Sequence, residues 1–180
     1  MRAMSQAKQP VTSLAGRYGH PLHPALVSVP IGAWVASFAF DCASHLTDPA
    51  TLATGSRWLI GLGVLGAVLA ALVGVLDLMA LPPGTPVFRT ALAHLGLALL
   101  ATTLYAVGFL LRGDPPAAPV PLNQLALSAL ALASLLGAGF LGGRLAFRYG
   151  VRVAAESVQA DGYRRLGHRR PQPLDPKETH

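Results

Sequence analysis

Cysteine is nearly absent from this sequence, and so is charge. Cys42 stands alone among 180 residues, which excludes an internal disulfide and any metal site built on several thiolates. Only 12% of the residues are charged, against 52% that are hydrophobic, and mean hydropathy is +0.48; a water-soluble domain carries about twice that share of charge. Acids are the scarcer sign, eight against fourteen bases, so there is little from which to draw a matched pair of catalytic carboxylates. There is no glycine loop of the kind that cradles phosphate, and no nucleophile set beside a base. Ser28, Ser37 and Ser134 fall inside apolar runs and read as hydroxyls that pack helices. No residue set asks for an enzyme. Aromatics make up 7% of the chain, too few to give its basic last third the stacking platforms of a nucleic-acid surface; a positive tail beside anionic lipid is the simpler account.

What the chain does have is long uncharged runs. Four windows, about 24–45, 58–81, 89–111 and 121–147, each reach the ~20 residues needed to cross a ~30 Å hydrocarbon core. The expected fold is therefore all-α, an integral membrane four-helix bundle with short loops. A polar leader (1–19) precedes the transmembrane domain (20–153), and a basic, disordered tail (154–180) follows it. The leader has no apolar core of its own, and the first span is followed by no clear cleavage pattern, so it is expected to be retained. Twelve of the fourteen Lys and Arg residues fall on the side that holds both ends of the chain, leaving Arg57 and Arg112 on the other, so both termini are expected to be cytoplasmic and the membrane the inner one of a bacterium.

Ionisable groups inside apolar spans are costly to keep there and mark where to look for function. The opening GHPLHPALVSVPIG, residues 19–32, sets His20 and His23 at the membrane boundary, each before a proline, on a segment expected to be extended or turning until a helix starts near Pro24. Pro30 is expected to kink that helix. In the second span the stripe Gly63, Gly66, Ala70, Gly74 continues to Asp77, and in the third His94 shares a face with Ala98, Ala101, Tyr105 and Gly108. Both polar groups should therefore point into the bundle, about one turn or a little more from the same end. Arg144 falls in that layer from the fourth span. Asp77 has a structural reading, an ion pair with Arg144 or Arg89, which ranks above metal ligation, and it could also orient a ligating imidazole. At the other end Asp41 and His45 are expected to make an interfacial hydrogen bond, with Trp58 as an aromatic anchor. No internal repeat stands out.

The HPLHP opening and the PIG that follows, the glycine-rich second helix ending in Asp77, the early His94, and the closing GG-x-L-x-x-x-Y-G-V-x-V together resemble the bacterial four-helix membrane family catalogued as domain of unknown function 2231, over about 19–153. Members often have Tyr where this chain has Phe147, and an Asn after the third-helix histidine that is missing here. Some members resemble fusions with a Rieske-type iron–sulfur module, which implies a setting near electron transfer; the resemblance supplies no reaction.

Three readings follow. In the first, His20, His23 and His94, with Asp77 as a further ligand or acceptor, hold haem b or a divalent transition metal at the cytoplasmic side, as a redox-associated module. Imidazole suits zinc, copper, nickel and iron alike. Small residues at Gly74, Ala98 and Ala101 would make room for a porphyrin, and the expected partners are the lipid bilayer and redox membrane proteins or an iron–sulfur partner. In the second the histidines cap the first helix and meet lipid head groups, and the His/Asp/Arg layer serves packing in a structural or lipid-binding subunit. The third, a small proton-coupled transporter, is the least favoured, because glycine and alanine faces leave little room for a pathway.

Overall fold

The computed structural model describes residues 2–163. The chain begins with α1 (Arg2–Lys8), a 3₁₀ turn (Ser13–Ala15) and a two-residue antiparallel pairing of β1 (Gly16–Arg17) with β2 (His20–Pro21). Then come α2 (Leu22–Leu26), α3 (Ser28–Ala43), α4 (Pro49–Met79), α5 (Pro86–Leu111) and α6 (Leu122–Gly143). A π turn (Arg144–Arg148) prolongs α6, and α7 (Glu156–Gln159) and a 3₁₀ turn (Ala160–Tyr163) follow. Four stretches, Leu22–Ala43, Pro49–Met79, Pro86–Leu111 and Leu122–Arg148, are long and apolar enough to cross a membrane. The molecule is a four-helix integral membrane bundle.

Local chemistry explains where these boundaries depart from the windows. Pro30 has no N–H to give the Leu26 carbonyl, and the first span breaks at Val27 into α2 and α3 instead of bending at the proline itself. The Ser28 hydroxyl takes the neighbouring Ala25 carbonyl at 2.6 Å. His23 is consequently helical, within α2, and only His20 is extended. The expected loop over 46–57 is mostly helix: Asp48 turns the chain at φ 37°, Pro49 occupies the first helical turn, and nothing from Ala50 to Arg57 stops propagation. Trp58 thus sits well inside α4. Thr85 caps α5 by accepting from the Phe88 N–H at 3.3 Å, with Pro86 in the first turn. Part of the expected tail is ordered as α7 and the turn after it; from 164 onward it lies outside the described residues.

α3 packs mainly on α4 and α5 mainly on α6, and these two hairpins close through lighter α4–α5 and α3–α6 contacts. The order around the bundle is therefore α3, α4, α5, α6, with α3 and α5 on one diagonal. A central core joins Trp34, Ile60, Ala101, Tyr105 and Ala131 from all four helices. A second, smaller cluster at the end near the chain termini joins Ala7 of α1 to Leu81 and Ala91, with Phe88, Leu145 and Val151 against them. The leader is docked there: the Ala7 carbonyl accepts from the Arg152 N–H at 3.0 Å, and Lys8 Nζ donates to the Val153 carbonyl at 3.3 Å.

The two hairpins repeat one another. Asp41 and Arg112 meet across the diagonal from positions 71 apart, and the same interval separates Trp34 from Tyr105 and His23 from His94, which also meet across it. Their partners on the second helix of each hairpin correspond as well. Trp34 and Tyr105 donate to the carbonyls of Ile60 and Ser128, and His23 and His94 to those of Ala70 and Ala138, with equal intervals in the two cases. The repeat escapes a reading of residue identity because tryptophan answers tyrosine and aspartate answers arginine.

Candidate functional site: three layers on one diagonal

Eleven residues separate histidine from aromatic on each side of the diagonal, and seven separate aromatic from charge. At ~1.5 Å rise per residue the three layers span ~27 Å, close to a ~30 Å hydrocarbon core.

At the end away from the chain termini, Arg112 grips Asp41 with two parallel bonds, Nη1 to Oδ1 at 2.7 Å and Nη2 to Oδ2 at 2.6 Å. The side chains are essentially sealed, 1% and 0% exposed. Ser56 of α4 donates to Asp41 Oδ1 and Ser128 of α6 to Oδ2, and the guanidinium donates to both hydroxyls. Ser44 donates to the Asp41 carbonyl and accepts from the Val120 N–H, which ties down the α5–α6 connection. Neither central residue keeps its expected place. Asp41 makes an ion pair with Arg112, not an interfacial bond to His45, and Arg112 caps α5 and turns inward instead of lying in an external loop. An aspartate inside a span requires a cation at its depth, and Arg112 follows His94 by the interval at which Asp41 follows His23; that spacing was the available signal.

In the middle, Trp34 and Tyr105 stack with ring centroids 4.3 Å apart and planes 14° from parallel. Each is 1% exposed. Gly63 makes the approach possible, since a Cβ there would overlap Trp34 Nε1. Ala101, expected to make room near the histidines, is buried in this layer.

At the terminus end, His23 and His94 face each other with ring centroids 6.2 Å apart and planes crossed at 88°. Each Nδ1 lies 2.8 Å from a main-chain carbonyl of a flanking helix, Ala70 of α4 for His23 and Ala138 of α6 for His94. A carbonyl can only accept, so each Nδ1 carries a proton, and in a neutral ring Nε2 keeps its lone pair. No hydrogen bond occupies either Nε2 among the described residues. One turn beyond each carbonyl is a glycine: a Cβ on Gly74 would come 2.9 Å from His23 Nδ1, and one on Gly142 3.2 Å from His94 Cε1.

The other expected members of this layer disperse. His20 is exposed on β2. Asp77 is buried and near enough to His23 for their charges to interact, but its close ion partner is Arg152, Nε to Oδ1 at 2.9 Å, not Arg144 or Arg89. Arg152 follows the last span, where helical periodicity gives no sign of it; a left-handed φ of 60° turns it back, and its Nη2 also donates to the Ala15 and Gly16 carbonyls at 2.7 and 3.2 Å. Arg144 instead donates to the Tyr149 hydroxyl at 3.2 Å. A Thr90 hydrogen bond, then Arg144, holds that phenol below its ordinary range. Arg89 is exposed and makes no ion pair among the described residues. No three His, Cys, Asp or Glu side chains converge among the described residues in a way that could hold a metal ion, so the four-ligand set of His20, His23, His94 and Asp77 is reduced to the imidazole pair His23 and His94.

A family model described as "Predicted membrane protein (DUF2231)" matches residues 19–155. That interval starts just before β2 and ends just before α7, so it takes in all three layers and Arg152. No curated protein and no solved structure matches the chain.

Proposed function

Because the chain belongs to this family of predicted membrane proteins, domain of unknown function 2231, whose description names no reaction, we propose a function from the site alone: the His23/His94 pair holds a metal centre, as a bare ion or as haem iron, in a redox-associated membrane module. One observation carries this reading. Both imidazoles spend Nδ1 on a main-chain carbonyl and keep Nε2 without a hydrogen bond among the described residues, with ring centroids 6.2 Å apart, and metal-ligating histidines are oriented by the same kind of outer-shell bond. In this reading the terminus end faces the cytoplasm of a bacterial inner membrane, and the partners are redox membrane proteins or an iron–sulfur protein.

A second reading also has support. Each Nδ1–H bond joins two helices, and such bonds clamp transmembrane helices without any ligand. A transport path has less, since the stacked and buried Trp34/Tyr105 layer lies between the two polar ends.

Full-length protein extracted from membranes, expressed with iron and haem precursor supplied, should carry stoichiometric metal by elemental analysis, lost in His23→Ala and in His94→Ala at unchanged helical content. Wild-type protein that stays colourless and metal-free after incubation with haem and with the common divalent ions would leave the clamp as the function of these side chains. A reporter fused at Ala117 should read the external side; a cytoplasmic signal there would reverse the orientation.

A further inference from the structure

We infer that the group between His23 and His94 is a haem seated on the internal twofold of the bundle, its axial imidazoles held crossed by the Ala70/Gly74 and Ala138/Gly142 receptors. This rests on the two-histidine reading and narrows it.

Bare divalent transition ions take three or more protein ligands, with any remaining positions filled by water or substrate. Here there are two: Asp77 is engaged by Arg152, His20 is exposed on β2, and Cys42 is exposed on α3, the helix that ends in the Asp41/Arg112 layer. A metal that brings its own equatorial donors needs only an axial pair, and in a protein that metal is haem iron. Distance agrees. Two imidazoles bound trans to one metal atom at ~2.0 Å per bond place their centroids ~6 Å apart, and the observed separation is 6.2 Å. Direct edge-to-face contact also permits that value, so distance alone does not decide.

Symmetry adds what distance cannot. Each hairpin presents the same apparatus at the same register: an imidazole, a carbonyl that takes its Nδ1–H, and a glycine one turn on that lets the ring approach. Two equivalent receptors meeting on an axis suit a planar group approached from both faces. The repeat duplicates the Trp34/Tyr105 layer in the same way, but there the two rings stack directly on each other, whereas here each ring keeps an Nε2 with no hydrogen bond among the described residues. Both imidazoles are half-buried, so a ring between them has an open edge toward the terminus end. That end holds Lys8, Arg17, Arg89, Arg144, Arg148 and Arg152, with Arg152 Nη1 buried and lacking a hydrogen-bond partner, a basic surround that fits two carboxylate side chains. The bound group would supply reversible one-electron chemistry at its iron. The protein's part is to fix the ring orientations: the carbonyls stand on α4 and α6, on opposite sides of the diagonal, and they hold the imidazole planes at 88°.

The test titrates full-length, detergent-solubilised protein with ferric haem, and separately with zinc, nickel and copper ions. We expect one haem per chain, a low-spin bis-imidazole absorption spectrum, and the highly anisotropic low-spin ferric EPR signal given by crossed axial planes. His23→Ala and His94→Ala should each abolish the six-coordinate spectrum. Gly74→Ala should keep haem but alter the EPR anisotropy, because its Cβ would displace the His23 ring; should that variant not fold, Gly142→Ala, with looser contacts, reads the same effect on His94. Stoichiometric binding of a bare ion lost in both histidine variants, with no haem uptake, would overturn the haem while leaving the two-histidine site standing. No uptake of either would overturn both. Haem bound with an ordinary rhombic signal, unchanged in either glycine variant, would overturn the receptors' positioning role.

Discussion

The two polar ends of the diagonal use related geometry for opposite purposes. At the Asp41/Arg112 end every carboxylate oxygen is satisfied within the protein, by a bidentate guanidinium and by serines from α4 and α6; Arg112 Nε has no hydrogen-bond partner among the described residues, but its side chain is only 1% exposed and sealed from any ligand. At the His23/His94 end each side chain makes one bond and keeps one polar atom in reserve. Buried polar groups that satisfy one another tie helices together, whereas those left partly unsatisfied are where a ligand has something to bind. The ends should therefore fail differently on mutation: the first should lose the fold, the second the ligand.

The largest loss is expected at the charged end. Asp41→Asn or Arg112→Gln leaves its partner buried without a counter-charge, which should cost about 3–5 kcal/mol. Replacing both by leucine should recover much of that, because the charges then leave together. Unfolding of the detergent-solubilised protein, or folded yield from membranes, reads the difference. Equal losses from the double and the single changes would mean that the ion pair itself, and not the avoidance of a stranded charge, holds this end.

That end was also the less legible in the sequence. The four spans, the inward faces of Asp77 and His94, and the place of His23 at a bundle end all follow from periodicity, because a 3.6-residue repeat of small and polar residues maps directly onto one helix face. Asp41 and Arg112 lie where apolar runs give way to loops. Periodicity does set Asp41 on one face with Pro30, Trp34 and Ser37, all four buried, but Arg112 lies past the last full turn of its run, and only the fold shows that the two pair across the bundle. Arg152 was hidden for a different reason, a single left-handed residue that reverses the chain. Hydropathy marks where a span is apolar, not where a helix begins, so the start of α4 at Pro49 is not legible from it.

Next in size is the Asp77/Arg152 contact, which is more open than Asp41/Arg112, with Asp77 12% exposed. Arg152→Gln also removes the donor to the Ala15 and Gly16 carbonyls, so we expect about 1.5–3 kcal/mol, the range of hydrogen bonds to a charged group. The damage should be local: hydrogen exchange should quicken across the docked leader while the α3–α6 core stays protected. Arg144→Gln, whose partner is Tyr149, should leave both unchanged. A leader equally protected in Arg152→Gln would show that its apolar contacts with Leu81 and Ala91 suffice.

The histidine end should show the reverse of the charged end. His23→Ala or His94→Ala removes one interhelical bond, and such bonds average about 0.6 kcal/mol inside membranes. Stability in the metal-free state should therefore barely move while metal content falls to background. A stability loss as large as that of Arg112→Gln, with metal content intact, would turn the comparison around and make this end the structural one.

The smallest effect is expected between the two, at Tyr105. Its hydroxyl reaches the Ser128 carbonyl at 3.5 Å, the outer limit of a hydrogen bond, where the interaction is weak. The ring itself is buried and stacked on Trp34. Tyr105→Phe keeps the ring and removes only that weak bond, so its cost should fall below the ~0.6 kcal/mol typical of intramembrane hydrogen bonds. Tyr105→Ala, by contrast, opens a cavity against Trp34 and should cost about 3–5 kcal/mol. Thermal unfolding of the two variants beside wild type separates packing from polarity in this layer. If Tyr105→Phe were as damaging as Tyr105→Ala, the middle layer would belong with Asp41/Arg112 as a polar tie between hairpins, and the dividing line between the two ends would move to the histidine side of the stack.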